Sequence, residues 1–276
     1  MSLAVLLFPF MNAMVKLLRV DFDPVMIIWA RYVSHFVLML VLFLPKQGLA
    51  LLSSSQPLMQ TSRSILLLGA TICYFTALGY VPLATAAIIG FTSPFIVTAL
   101  SIPLLGEKVG WRRWAAVLIG FVGAVIVIRP GTGALHPMAS LVVVTAVCYG
   151  LYQIFTRKIT ASDTAATTIT WTALVGALAS TLVVPFYWQT PETVKQVVLL
   201  TVAGMVGGLG HYFVVKAFQF AQASLLAPVA YGQIIGATLL GFILFGELPD
   251  MWTWVGTSII IGCGLYIGYR ERVITS

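Results

Sequence analysis

The sequence predicts an all-α integral membrane protein with ten transmembrane helices, arranged as two inverted five-helix repeats. The first observation is the scarcity of charge: 15 Lys and Arg with 8 Asp and Glu make 23 of 276 residues, or 8%, where a soluble chain carries about 25%. Hydrophobic residues make up 60% of the chain, and the mean hydropathy is +1.02. Too few polar side chains exist to cover a water-exposed surface, which excludes a soluble enzyme, a nucleic-acid-binding protein and a disordered chain.

The second observation is a series of apolar segments about as long as the 20 residues that a membrane helix needs. Turn-forming residues such as Asp23-Pro24, Pro130-Gly131 and Pro249-Asp250 separate them. The short connections leave no extramembrane domain. We predict spans at 2–18, 24–45, 64–81, 83–105, 111–129, 138–156, 165–187, 196–217, 222–245 and 251–269.

Basic residues predict the orientation, because Lys and Arg collect in cytoplasmic loops. With a cytoplasmic N-terminus, four basic residues face the other side: Lys16, Arg19, Arg129 and Lys195. Ten then lie on the cytoplasmic side: Lys46, Arg63, Lys108, Arg112, Arg113, Arg157, Lys158, Lys216, Arg270 and Arg272. We therefore expect a multi-pass membrane protein with both termini in the cytoplasm.

The third observation is an internal repeat. Leu104–Glu107 recurs 140 positions later as Leu244–Glu247, and Asp23 and Asp163 stand at the same offset. The predicted span boundaries repeat with it, so residues 1–135 form the first repeat and 136–276 the second. Because five spans are an odd number, the second repeat is inverted in the bilayer, an arrangement typical of secondary transporters.

Several motifs carry a resemblance to a known family. They are Phe8–Lys16, Pro82–Ala87, Thr92-Ser93-Pro94, Gly106-Glu107, Gly120 and Gly123, with looser second-half versions in Ala223–Pro228, Gly246-Glu247 and Gly262. On these residues the chain resembles the EamA-type exporters of the drug/metabolite transporter superfamily. The resemblance implies ten helices, alternating access, and export of small metabolites, commonly amino acids. Other members import S-adenosylmethionine or carry sugars. The sequence departs from the pattern at Ile234, the repeat partner of Pro94, where no proline stands.

Polar residues inside the predicted spans are candidates for function, because such groups are costly in hydrocarbon. No carboxylate lies near a span midpoint; Glu107 and Glu247 close spans, where we expect them to pair with Lys108, Arg112 or Arg113. Arg31 and His35 share a face of the second span. Arg31 has two interpretations, a cavity role or snorkelling and pairing with Asp23. His211 follows the glycines of 204–210, where close helix packing is expected; it either lines a cavity or bonds to a neighbouring helix.

The candidate substrate-binding residues combine aromatic, amide and hydroxyl groups, which suit a zwitterionic or aromatic metabolite. They are Asn12, Tyr74, Thr92, Ser93, Tyr149, Tyr152, Gln153, Trp171, His211, Tyr231 and Gln233. Proline and glycine in repeat-equivalent spans predict hinges at Gly90, Pro94, Pro228 and Gly232. The alternative for the aromatic residues is plain packing.

No catalytic motif or metal-ligand spacing occurs: HExxH, Walker A and GxSxG runs are absent, and His35, His136 and His211 are isolated. We predict a monomeric secondary transporter, without cofactor or metal, that exports aromatic or neutral amino acids by alternating access. One alternative is an importer of S-adenosylmethionine-like metabolites. Another is a membrane scaffold or receptor that transports nothing.

Overall fold

A computed structural model describes residues 1–105, 110–133, 135–159, 162–220 and 229–275. These residues form helices and connections, with no strand among them. The α-helices are α1 (Ser2–Leu18), α2 (Pro24–Gln47), α3 (Pro57–Ala77), α4 (Leu83–Gly90), α5 (Ser93–Leu105), α6 (Trp111–Ile128), α7 (Ala139–Ile159), α8 (Ala165–Val183), α9 (Val194–Phe220), α10 (Gly232–Phe245) and α11 (Met251–Thr275). Short 3-10 helices at Gly48–Leu52 and Val184–Tyr187 extend α2 and α8.

Seven segments of the described residues are long and apolar enough to cross a membrane. They are Pro24–Leu52, Leu83–Leu100, Trp111–Ile128, Ala139–Ile159, Ala165–Tyr187, Val194–Ala217 and Met251–Tyr269. The helices α1 and α10 are shorter, with 17 and 14 residues, and α3 carries polar residues in its first half. The protein is thus a helical, multi-pass membrane protein, while the count of ten spans stays a prediction.

The predicted fourth span is interrupted. The helix α4 ends at Gly90 and α5 begins at Ser93, with a turn at Phe91 and Thr92 between them. Thr92 stabilises the turn, since its hydroxyl donates to the Ile89 carbonyl at 2.8 Å. The interruption lies between the predicted hinge residues Gly90 and Pro94. In the second half Gly232 is the first residue of α10, and Pro228 lies outside the described residues, as do Gly106-Glu107 and Lys108.

Several helices of the first half of the chain pack against helices of the second half. The helix α1 contacts α9 and α10, α2 contacts α8 and α9, and α3 contacts α7 and α8. Further pairs are α4 with α10, α5 with α7, and α6 with α11. Side chains on the outside are apolar, as Leu118 (61% exposed) and Ile243 (69% exposed) illustrate. A lipid environment suits such a surface, and water does not.

Glycines permit the closest approaches, as the sequence predicts for residues 204–210. A Cβ atom on Gly204 would lie 2.5 Å from the Arg31 carbonyl oxygen, and one on Gly208 would lie 2.5 Å from His35 Cδ2. Because real Cβ contacts are longer than this, α9 can approach α2 only where it carries glycine. The prediction of close helix packing at this run is confirmed.

The expected partners of Glu247 are wrong. Its carboxylate pairs with Lys16 Nζ at 2.5 Å and accepts the Leu83 backbone N–H at 3.0 Å. The same ammonium group donates to the Val81 carbonyl at 2.9 Å. Glu247 therefore joins the ends of α1 and α10 to the start of α4, which are far apart in sequence.

Candidate functional site

A group of buried basic side chains lies where α2, α3, α7 and α9 meet. Arg31 is 2% exposed and His35 1% exposed, although both belong to a membrane helix. Arg31 Nη1 donates to Thr71 Oγ1 on α3 at 3.4 Å, and its guanidinium lies 4.6 Å from the centre of the Tyr32 ring. Arg31 neither reaches the surface nor pairs with Asp23, whose side chain caps α2 through the Val25 N–H. Of its two interpretations, the interior role is favoured.

Arg63 is a second buried guanidinium in this region, although the sequence analysis had counted it only among the basic residues of the cytoplasmic side. It is 0% exposed. Its Nε donates to Thr156 Oγ1 at 3.0 Å. Its Nη1 has three acceptors, namely Gln60 Oε1 at 3.0 Å and the Thr168 carbonyl and Thr172 Oγ1 at 2.9 Å each. Arg63 thereby ties α3 to α7 and α8, and it also lies 4.8 Å from the centre of the Tyr152 ring.

His211 lies beside Tyr152, the ring that also contacts Arg63. Its ring meets Tyr152 edge-on with centroids 6.4 Å apart, and Phe8 packs on it at 4.9 Å. On the same helix, a Cβ atom on Gly208 would lie 2.5 Å from His35 Cδ2, and one on Gly207 would lie 3.4 Å from Arg31 Nε. We call Arg31, His35, Arg63 and His211 the basic cluster; its positive charge comes from the two guanidinium groups.

The basic cluster has unsatisfied hydrogen-bonding groups. Within the described residues no partner exists for Arg31 Nε, Arg63 Nη2, His211 Nδ1 or either ring nitrogen of His35. A buried polar group without a partner costs about 1–3 kcal/mol. Among the described residues His211 Nδ1 has no bond to a neighbouring helix, and the interpretation that His211 lines a cavity stays a prediction.

Three of the predicted substrate-binding residues lie at the basic cluster. Tyr152 is 3% exposed and contacts both Arg63 and His211. Tyr149 stacks on Tyr152 with centroids 5.6 Å apart. Along with His211 itself, these residues occupy α7 and α9.

The remaining predicted residues have other contacts or are half-buried. Trp171 donates its indole N–H to the Leu52 carbonyl at 3.1 Å, which directs it to the connection after α2. Tyr231 packs on Phe91 at 5.0 Å, and its hydroxyl is buried without a partner among the described residues. Asn12 Oδ1 is likewise buried without a hydrogen-bond partner among the described residues. Thr92 and Ser93 are buried at the interruption of the fourth span, and Tyr74, Gln153 and Gln233 are half-buried.

Sequence reasoning missed Arg63 and the polar residues around it. The hydropathy window began the third span at residue 64, whereas α3 begins at Pro57. A signal was present, because proline after a serine-rich loop is common at the first position of a helix. Counting from Pro57 places Arg63 six residues, or about 9 Å, inside the helix.

Comparison with known proteins agrees with the helical membrane fold. The sequence matches the EamA-like transporter family twice, over residues 1–129 and 136–268. An S-adenosylmethionine uptake transporter of Rickettsia prowazekii is 28% identical over 235 residues, which cover 85% of this chain and 80% of the relative. A riboflavin transporter of Rhizobium johnstonii is 29% identical over 83% of this chain and 76% of its own length. The pseudopaline exporter CntI of Pseudomonas aeruginosa is 26% identical over 94% and 91%.

One crystal structure superposes with a TM-score of 0.67 and covers 99% of both chains. The sequences are 17% identical, so this similarity concerns the fold alone.

Proposed function

Because the chain belongs to the EamA-like transporter family, we propose that it is a secondary transporter that moves a small amino-acid-type metabolite by alternating access. Relatives of this chain carry small molecules across membranes. The proposal places the protein in the bacterial inner membrane with both termini in the cytoplasm. Gradients would drive the transport, since no nucleotide-binding motif occurs in the sequence.

Alternating access needs two half-molecules that can rock against each other, and ten helices in two inverted repeats would supply them. The helix contacts support this arrangement, because they repeat when the halves are exchanged. The pair of α1 and α9 has its counterpart in α7 and α3, and the pair of α2 and α9 in α8 and α3. The loops show the same correspondence. Before α2, the Asp23 N–H donates to Gln189 in the loop after α8. Before α8, the Asp163 carboxylate accepts from Ser54 and Ser55 in the loop after α2.

The observation that carries the proposal is the set of unpartnered polar atoms at the basic cluster. These atoms lie between helices of the two halves, which is where an inverted-repeat transporter binds its substrate. Guanidinium and imidazole groups suit a carboxylate, and Tyr152 adds an aromatic surface. The interruption between α4 and α5 would let one wall of the site bend, with Gly90 and Pro94 on either side of it. In α10 the bend would involve Gly232, with Pro228 before it.

Counterflow in proteoliposomes tests this function. Vesicles loaded with an unlabelled amino acid should accumulate the radiolabelled one above the level of empty vesicles. Inside-out vesicles energised by a gradient should also take up the labelled amino acid, because uptake into them corresponds to export from the cell. His211→Ala should lower the rate, because it removes the buried imidazole that packs against Tyr152 at the basic cluster. His136→Ala is the matched control, since His136 is exposed and stacks on Tyr80. Equal rates in the two variants would remove His211 from the site.

Uptake of S-adenosylmethionine or a similar compound is the second candidate, favoured by relatives of 28–29% identity that cover 85% of this chain. The methionine part of that compound carries the same carboxylate and ammonium groups as an amino acid. Counterflow with the labelled compound in right-side-out vesicles separates the two candidates.

A further inference from the structure

The basic cluster contains two guanidinium groups without a carboxylate partner. Arginine keeps its charge in every protein environment, so Arg31 and Arg63 place two permanent positive charges inside the helix bundle. Both side chains are essentially inaccessible, at 2% and 0% exposure. Among the described residues, no carboxylate oxygen lies within 4.0 Å of either group.

Two of the described carboxylates form ion pairs away from the basic cluster. Glu247 pairs with Lys16 and Asp250 with Arg129. Asp163 is the carboxylate that comes nearest along a chain of hydrogen bonds: its Oδ2 accepts from Gln60 Nε2 at 2.8 Å, and Gln60 Oε1 accepts from Arg63. One amide thus separates Asp163 from Arg63, and Arg31 has no such link.

The groups next to Arg31 add no negative charge. Its guanidinium contacts the Thr71 hydroxyl and the rings of Tyr32 and Phe75. His35 lies one helical turn away, and a Cβ atom on Gly207 would lie 3.4 Å from Arg31 Nε. Arg31 Nε and Arg63 Nη2 are buried donors that have no acceptor in the described part of the chain. The cluster is therefore complementary to an acceptor that brings negative charge.

We propose that the substrate is a small organic anion with more acidic than basic groups, such as a dicarboxylate or an acidic amino acid. One carboxylate accepts from Arg31 and the imidazoles of His35 and His211, and the second acidic group lies towards Arg63 Nη2. A buried charge is tolerated when it is paired and hydrogen-bonded, and the bound anion supplies that pairing. This inference rests on the proposed transport function. It replaces the aromatic or neutral amino acids that the sequence predicted with substrates of net negative charge.

Probes of equal shape and different charge test the inference. The purified full-length protein is titrated with glutamate against glutamine and with succinate against its monoamide, while thermal stability and equilibrium binding are measured. The acidic member of each pair should bind about tenfold or more tightly than its amide, because a charge-assisted bond is lost in the amide. Equal or tighter binding of the amides, or tightest binding of the cationic S-adenosylmethionine, would overturn the inference.

Variants of arginine locate the effect. Arg31→Gln should lose the preference for glutamate over glutamine, whereas Arg112→Gln should keep it, because Arg112 is exposed at the start of α6 beside Trp111. His35→Gln provides a second variant at the cluster should Arg31→Gln fold poorly. A folded Arg31→Gln protein that keeps the full preference would overturn the assignment. Counterflow distinguishes failure of this inference from failure of the proposed transport function. Preferred exchange of neutral compounds contradicts this inference alone. If no compound is exchanged above the level of empty vesicles, the proposed function is contradicted as well.

Discussion

Replacing Gly204 by alanine should weaken the contact between α2 and α9 and destabilise the protein. The new Cβ atom would lie 1.9 Å from Ser34 Oγ, 2.5 Å from the Arg31 carbonyl oxygen and 2.8 Å from Arg31 Cα. Ser34 Oγ can rotate away, but the other two atoms belong to the backbone of α2. Because carbon atoms pack at about 3.5–4.0 Å, the two helices must separate by about 1 Å.

The magnitude follows from two opposing effects. Overpacking of this kind costs about 1–3 kcal/mol, and the backbone contacts favour the upper end. Alanine also forms helices better than glycine, by about 1 kcal/mol, so the net loss should be about 2 kcal/mol. Gly262→Ala is the matched control, since nothing lies within 4 Å of a Cβ atom there. That variant should gain up to about 1 kcal/mol.

Thermal unfolding of the two purified variants measures the difference. A gap of about 3 kcal/mol corresponds to about 6–12 °C in Tm, at 2–4 °C per kcal/mol. Melting of both variants within about 1 °C of each other, at equal yields, would show that α9 does not approach α2 as closely as the structure indicates.

Three further predictions concern the ends of the bundle. Glu247→Gln removes the ion pair with Lys16 and should lower stability by about 1 kcal/mol, less in high salt; a loss that is unchanged by salt would contradict the pairing. Burial opposes ionisation of Asp163, but four hydrogen bonds outweigh it and hold its pKa below the usual value. The stability from Asp163 should therefore be present above about pH 4 and decline as pH falls further, and Asp163→Asn should flatten this decline in pH-dependent unfolding. Trp171→Phe loses the bond to Leu52 and should cost about 1 kcal/mol; unchanged unfolding with reduced transport would assign Trp171 to substrate binding instead.

Helix positions follow closely from hydropathy alone. The helix α6 runs over Trp111–Ile128, and the fifth predicted span, which corresponds to it, covers residues 111–129. The interior side of a membrane helix and its lipid side are both apolar, so the length of an apolar run locates the helix well. Because both sides of each helix are apolar, hydropathy does not indicate which face is buried. Only a few of the predicted site residues, such as Tyr152 and His211, therefore contact each other.

Arg63 shows where reasoning from sequence stops. An arginine near the end of a predicted span is interpreted as a charge on the cytoplasmic side. Hydropathy does not distinguish such an arginine from one that is buried between helices. Its acceptors are Gln60 on its own helix, Thr156 on α7 and Thr172 on α8. The last two are about a hundred positions away, so no local pattern links them to it.

Local composition was enough to predict that this chain is a helical membrane protein, because membrane insertion depends on the side chains of each segment separately. Tertiary packing decided that two arginines and two histidines are buried between the helices and that Glu247 pairs with Lys16. Those contacts depend on which helix faces come together, and the free energy that selects them arises from shape and charge across distant segments.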